Sequence, residues 1–377
     1  MLKSLRIQNF KQFKDITFDF SQVRDYKFGE ELIASTPKGP LIKTCVLFGR
    51  NASGKSNMGF AIMDITFHLS DINIGREKYL YYLNADADTN IATFKYNFYF
   101  EDVEVCYEYD KTSVDNVVRE VISVENEVII ERKDNKVNFS SEMAEKYGFS
   151  SLQWDSFREH PLSIIKFITR NVPINNNNPF KKIMDFATHM LWFGRVDAAN
   201  DFISSTHGID RLHDYICRNH LVEEFEEFLR NAHVNEKVIE KTNSAGQKEL
   251  YFKHKRDLPM QAVSSSGTHA LILQFYWLKE IQQKTNRASF VFVDEFDAFY
   301  HYELAEQIYK LMKDKCPVQC VLTTHNTNLM NNNLGRPDTF LIITPKYVKS
   351  FADSTNREIR FGNNLEKLYM ADEFDAK

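Results

Sequence analysis

The sequence predicts an α/β fold with a mixed sheet, a separate antiparallel β lobe and an inserted helical subdomain. Three observations point to it. An apolar run, Leu41 to Phe48, passes through a glycine-bearing loop into a helical pattern at Asn57 to Leu69. Two more short apolar runs, Phe290 to Val293 and Gln319 to Thr323, alternate downstream with helical patterns, as strands buried in a parallel sheet do. Between these parts lies a β-rich stretch, Thr93 to Arg132, where TFKYNFYF, VEVCYEY, VVREVISV and EVIIERK are separated by polar pairs. That is the pattern of an antiparallel meander.

The remaining elements follow in chain order. Leu2 to Phe10 and Ile16 to Phe20 alternate as a hairpin-like strand pair, and Ser35 to Pro40 is a turn-rich loop. Asn175 to Asn178 is a polar loop closed by Pro179, and Lys181 to Trp192 and Gly208 to Ala232 read as helices. Val238 to Thr242 and Glu249 to Lys253 flank Asn243-Ser244-Ala245-Gly246, a hairpin signal. Ala270 to Gln283 and Glu303 to Lys313 are helical patterns, and Thr339 to Ile343 is a last buried strand. The expected organisation is an N-terminal part, residues 1–138, and a C-terminal part, residues 233–377, around a helical insertion at 139–232.

Composition excludes several classes. Among 377 residues there are 13 Gly and 9 Pro, too few for collagen-like or linker-like chains. A net charge of −5 excludes a uniformly basic nucleic-acid coat but leaves a local basic groove open. Five cysteines are an odd number in a long chain, which fits a reducing compartment rather than a disulfide framework. No signal-peptide core and no membrane-length apolar run is present, so the expected location is the cytoplasm, with no membrane partner. The aromatic content, 31 Phe and 17 Tyr, is high, and packing between a sheet lobe and a helical lobe accounts for most of it.

The loop after the first apolar run is Gly49-Arg50-Asn51-Ala52-Ser53-Gly54-Lys55-Ser56, which fits G-x-x-x-x-G-K-[ST] at every position. Glycines let the backbone close around phosphate oxygens, and the helix that follows adds its positive N-terminal dipole. Lys55 is expected to neutralise the β- and γ-phosphates, and the Ser56 hydroxyl to bind Mg²⁺. ATP and Mg²⁺ are therefore the expected cofactors.

Three further features narrow the reading. Ser289-Phe290-Val291-Phe292-Val293-Asp294-Glu295 is an apolar strand ending in two acids. At the carboxyl end of a parallel strand Asp294 is placed to hold Mg²⁺ and Glu295 to polarise an attacking water. Gln319 to Asn326 is a buried strand ending in His325, which could contact a γ-phosphate. Ser264-Ser265-Ser266-Gly267-Thr268 precedes a strong helix. Helix capping is the plain reading of those hydroxyls, and the alternative is an anion site facing a nucleotide held by a second subunit.

Together these motifs resemble the ABC-type ATPases that include SMC and RecF proteins, and more closely the OLD-like and RloC-like "AAA family ATPases" of bacteria. LRIQNFKQFKDITFDF looks like their N-terminal strand pair, and GRNASGKSN, which includes Asn57, like their Walker A. SSSGT is similar to their reduced signature, with Ser265, Gly267 and Thr268 facing the partner's nucleotide. FVFVDEFDAFYH is similar to the Walker B, D-loop and following histidine, here His301, and TTHNTNLM to the switch-histidine segment. The family's Q-loop glutamine has no counterpart that can be placed. The resemblance implies heads that dimerise around two ATP molecules and open on hydrolysis. About 50 residues follow TTHN, too few for the C-terminal nuclease of many OLD-like proteins, so a separate effector, a nuclease or toxin from a neighbouring gene, is expected. Stand-alone relatives of this kind sit in anti-phage systems such as PARIS, Septu and some retrons. A RecF-like DNA-repair clamp is the competing reading, with Lys181-Lys182 and Lys253 to Arg256 as modest basic clusters, so a nucleic-acid partner stays open. A P-loop kinase fits the signature and switch histidine poorly, and a non-hydrolysing module fits the full set of reactive side chains poorly.

Overall fold

The computed structural model of the chain describes residues 1–70, 81–155, 157, 163–196, 199–203, 212–242, 246–282, 288–298 and 302–374. The opening alternation forms an antiparallel pair, β1 (Leu2–Phe10) and β2 (Phe13–Asp19). The turn-rich segment is the hairpin of β3 (Ile33–Thr36) and β4 (Gly39–Ile42). The expected single strand Leu41 to Phe48 is thus divided between β4 and β5 (Thr44–Phe48), with Lys43 at the break. The glycine loop leads from β5 into α1 (Lys55–Leu69). The meander is β6 (Ala92–Phe100), β7 (Val103–Ser113), β8 (Asn116–Val124), β9 (Glu127–Lys133) and the short β10 (Lys136–Asn138). With β1 and β2 it makes one antiparallel sheet, ordered β10-β9-β8-β7-β6-β1-β2.

The next stretch is α2 (Ser141–Lys146), α3 (Ile164–Asn171), α4 (Pro179–Thr188), β11 (Met190–Val196), β12 (Ala199–Ile203), α5 (Leu212–Arg218) and α6 (Val222–Asn231). It departs from the expected helical insertion twice. The helix read over Lys181 to Trp192 ends at Thr188, and Met190 onward is a strand beside Phe290–Val293, because a short apolar run fits a buried strand and a helix equally well. The helix read over Gly208 to Ala232 is two helices, broken where His220 takes φ +56°; residues 208–211 lie outside the described residues. After a small antiparallel sheet of β13 (Val238–Thr242), β14 (Lys248–Phe252) and β15 (Leu258–Pro259) come α7 (Met260–Val263) and α8 (Ser266–Gln282). Asn243 to Ala245 of the hairpin signal lie outside the described residues. The chain continues through β16 (Phe290–Val293), α9 (Tyr302–Lys315), β17 (Gln319–Thr324), β18 (Phe340–Ile343), β19 (Val348–Ser350) and α10 (Leu365–Met370).

The central sheet is mixed, ordered β12-β11-β16-β17-β5-β18-β19. Its five inner strands run parallel, and β12 and β19 are antiparallel edges. Strand alternation sorts its side chains: Cys45 and Leu47 face the β lobe, whereas Val46 and Phe48 face α8 and α9. Helix α1 is buried along most of its length between the two large sheets, which is why it is apolar nearly all round. Tyr96, Tyr107 and Tyr109 of the meander, all fully buried, reach it at the Ala61 carbonyl, His68 and Asp64. Asp64 of α1 enters this layer and accepts hydrogen bonds from Tyr82 (2.9 Å), Tyr109 (2.8 Å) and the Lys111 ammonium (2.7 Å). Among the described residues no helix is long and apolar enough to cross a membrane.

Candidate functional site

Sheet order assembles the site. Strand β17 lies between β5 and β16, and all three run parallel, with Thr324 opposite Phe48 and Leu322 opposite Val293. Their carboxyl ends therefore bring together the glycine loop after β5, Asp294-Glu295 after β16 and His325 after β17, the usual ligand position in such sheets.

The glycine loop is shaped as its residue types require. Gly54 has φ +108°, and a Cβ there would meet the Phe13 ring at 2.8 Å. Gly49 has room for no Cβ, because the Ser53 Oγ lies 2.3 Å from where one would stand. Arg50, Asn51 and Ala52 form the exposed crest, with Ala52 at φ +61°. The Ser53 Oγ is buried with no hydrogen-bond partner. A buried hydroxyl without a partner is costly, and a phosphate oxygen would satisfy it.

Lys55 is 6 % exposed. Its Nζ donates to the carbonyls of Gly49 (2.8 Å) and Arg50 (3.3 Å) and to His325 Nε2 (2.8 Å). Burial lowers the Lys55 pKa, and Asp294 and Glu295 oppose that shift. An ammonium has no acceptor, so His325 must accept at Nε2 and be neutral in this arrangement. Its pKa is lowered, first by burial and then by Lys55. The Glu295 Oε1 stands 4.0 Å from His325 Nε2.

Asp294 is 5 % exposed and accepts from the Thr323 hydroxyl at 2.6 Å. Burial raises its pKa. Glu295 sits at φ +46°, a left-handed conformation rare for this residue type, with its N–H donating to Thr323 Oγ1 at 2.8 Å. Such strain persists where the surroundings enforce it and clusters at functional sites. The Ser56 hydroxyl and the Asp294 carboxylate are hard oxygen donors that suit Mg²⁺. Among the described residues no group of three or more His, Cys, Asp or Glu is placed to hold a metal. A cation there would therefore complete its shell with phosphate oxygens and water. Asn57 follows Ser56 on the first turn of α1.

Ser265, Gly267 and Thr268 lie at the N-terminal end of α8. Ser265 caps α8: the Thr268 N–H donates to Ser265 Oγ at 3.2 Å, and the two hydroxyls are 3.1 Å apart. Among the described residues no hydrogen bond joins them to Lys55, Asp294, Glu295 or His325. His301 lies outside the described residues.

Several residues escaped sequence reasoning. Thr323 ties Asp294 to the Glu295 backbone, and the Thr324 hydroxyl donates to Asp297 Oδ2 at 2.7 Å while accepting from the Asn326 N–H at 2.8 Å. Asp297, its pKa raised by burial, thus braces the turn that carries His325. The paired threonines before the histidine were the available signal. Gln12, from the β1–β2 turn, reaches the crest at Ala52, and no local motif marks it.

The α/β fold and the phosphate-type loop with its lysine, acids and histidine define a P-loop nucleotide-binding protein. The chain belongs to the family described as "AAA domain, putative AbiEii toxin, Type IV TA system", whose profile matches residues 45–331. Membership implies an ATPase. Among solved structures it is similar to an SMC head bound to the C-terminal winged-helix domain of ScpA, at 17 % identity and TM-score 0.48, over 93 % of this chain and 97 % of that one. It is also similar to the SMC head domain from Thermotoga maritima, at 14 % identity and TM-score 0.44, over 93 % and 98 % of the two chains. No curated protein matches the sequence.

Proposed function

We propose that this chain binds and hydrolyses ATP with Mg²⁺, dimerises around the nucleotide, and controls a separate effector, a nuclease or toxin, in cytoplasmic defence against phage. The observation that carries the ATPase reading is the contact of Lys55 with His325, with Glu295 beside it and Asp294 held by the Thr323 hydroxyl. In this reading the backbone from Gly49 to Asn57 cradles the phosphates, and Lys55 neutralises the β- and γ-phosphates. Ser56 and Asp294 hold Mg²⁺. Neutral His325 accepts from Lys55 before ATP enters and then turns to the γ-phosphate, while Glu295 polarises the attacking water.

The dimer is supported by the position of Ser265, Gly267 and Thr268. Ser265 is exposed, and the hydrogen bonds of Ser265 and Thr268 stay within their own turn, which leaves this helix start open to a nucleotide held by a second copy. The defence role is supported by the family's own description, which joins an AAA domain to a toxin and a Type IV TA system.

The test is Glu295→Gln with ATP and Mg²⁺, read by native mass spectrometry and phosphate release. The expected result is a trapped dimer or larger assembly that hydrolyses at least tenfold more slowly. A monomer that hydrolyses ATP at the full rate would overturn both the role of Glu295 and the sandwich. Co-expression with the neighbouring gene product should give a complex whose release depends on hydrolysis, and independence from ATP would remove the effector role.

A further inference from the structure

The proposed chemistry makes no use of the β1–β2 turn, yet that turn grips the glycine loop. The Gln12 Nε2 donates to the Ala52 carbonyl at 3.3 Å, and Asn57 Nδ2 donates to Gln12 Oε1 at 2.5 Å. A Cβ on Gly54 would stand 2.4 Å from Gln12 Nε2. One carboxamide thus spans the loop from its crest to the first turn of α1, close over Gly54.

The turn is itself held from behind. The Lys11 N–H donates to the Tyr82 carbonyl (2.9 Å), and Asn84 Nδ2 donates to the Lys11 carbonyl (2.6 Å). Asn9 Nδ2 donates to the carbonyls of Thr89 (2.9 Å) and Ile91 (2.8 Å). Asn9 and Lys11 lie at φ +61° and +47°, conformations that need such external support.

We propose that Gln12 is a positioning residue of the nucleotide site, holding the loop from Ala52 to Asn57 in its phosphate-receiving shape, with Asn84 setting the turn that presents it. This rests on the nucleotide reading above. The Ala52 carbonyl and the Ser53 N–H share one trans peptide plane and point in opposite directions. The Ser53 N–H donates to the Arg50 carbonyl at 3.1 Å, and tying the Ala52 carbonyl to Gln12 holds the other side of the same peptide plane. The Asn57 contact fixes the other end, where α1 begins to present its N–H groups to an anion. Because the contacts are to the loop alone, the effect falls on the polyphosphate and not on base identity.

The test uses the full chain with Gln12→Ala, Gln12→Glu and Asn84→Ala, singly and with Gln12→Ala and Asn84→Ala combined. Affinities for ATP and for inorganic tripolyphosphate, KM and kcat, and thermal midpoints are measured. Gln12→Ala should weaken both ligands by the same factor, about three- to tenfold for one or two lost hydrogen bonds, with the loss in KM rather than kcat. Gln12→Glu keeps the size but cannot donate to Ala52 and adds a negative charge, so it should weaken binding further, most at low salt. Asn84→Ala should weaken binding, and the combined variant should lose less than the product of the single losses. Binding by both Gln12 variants within twofold of wild type would overturn the proposal. So would a loss for ATP with tripolyphosphate unaffected, a loss confined to kcat, or multiplicative losses in the combined variant. A wild-type chain that binds neither ligand would instead sink the nucleotide reading beneath it.

Discussion

Lys111→Met cuts a connection between the β lobe and the helix that carries the candidate site. Lys111 and Asp64 are both fully buried, with Nζ and Oδ2 2.7 Å apart. Burial pushes the Lys111 pKa down, and Asp64 pulls it back, so the ammonium persists there because the carboxylate faces it. Removing one partner of a buried pair typically costs about 3–5 kcal/mol, because the other charge is left uncompensated. Tyr82 and Tyr109 still donate to Asp64 in the variant, which places the expected cost near the lower end, about 3 kcal/mol. Urea unfolding followed by circular dichroism reads this as a lower midpoint at unchanged slope. Asp64→Asn with Lys111→Met removes both charges and should cost clearly less than the sum of the two single variants. A single-variant cost under about 1 kcal/mol, or a double variant as unstable as the sum of the singles, would refute the claim that the pair acts as a unit.

Asp294→Asn should abolish Mg²⁺-dependent hydrolysis while raising stability at neutral pH. The sign follows from burial. A raised carboxyl pKa means that its contribution to stability is present below the unfolded pKa and lost as pH rises through the folded one, so the variant's advantage should vanish in acid. Urea midpoints between pH 4 and 8 check this, and an advantage that grows in acid would contradict it. Gly54→Ala, at φ +108° and against Gln12 and Phe13, should cost about 2 kcal/mol or more and remove ATP binding, measured by calorimetry and nucleotide titration. His325→Ala should slow phosphate release at least tenfold while ATP affinity stays within threefold, since Lys55 keeps its two carbonyl acceptors; an unchanged rate would deny His325 a role in hydrolysis.

Contiguous chemistry was readable along the chain. Gly49 to Ser56 is one loop whose function depends on its own backbone, so eight adjacent residues carry the signal. Asp294, Glu295 and His325 were readable because an apolar run with a polar end has one natural place in a parallel sheet, its carboxyl edge. The meander was readable from period-2 alternation and its polar breaks. Strand Met190–Val196 was misread as the end of a helix, because a short apolar run has no period of its own and its identity comes from pairing with Phe290–Val293.

The sequence alone therefore established an α/β chain with a phosphate-type loop, two strand-end acids and a strand-end histidine. It could not show that β17 lies between β5 and β16, which is what sets His325 Nε2 on Lys55 Nζ across 270 residues. Nor could it reveal Gln12 on Ala52, Asp297 under Thr324 or Asp64 on Lys111. The physical reason is the same in each case. Those partners are far apart along the chain, and only strand order and register carry them to within hydrogen-bond reach, where a side chain no motif marks becomes part of the site's frame.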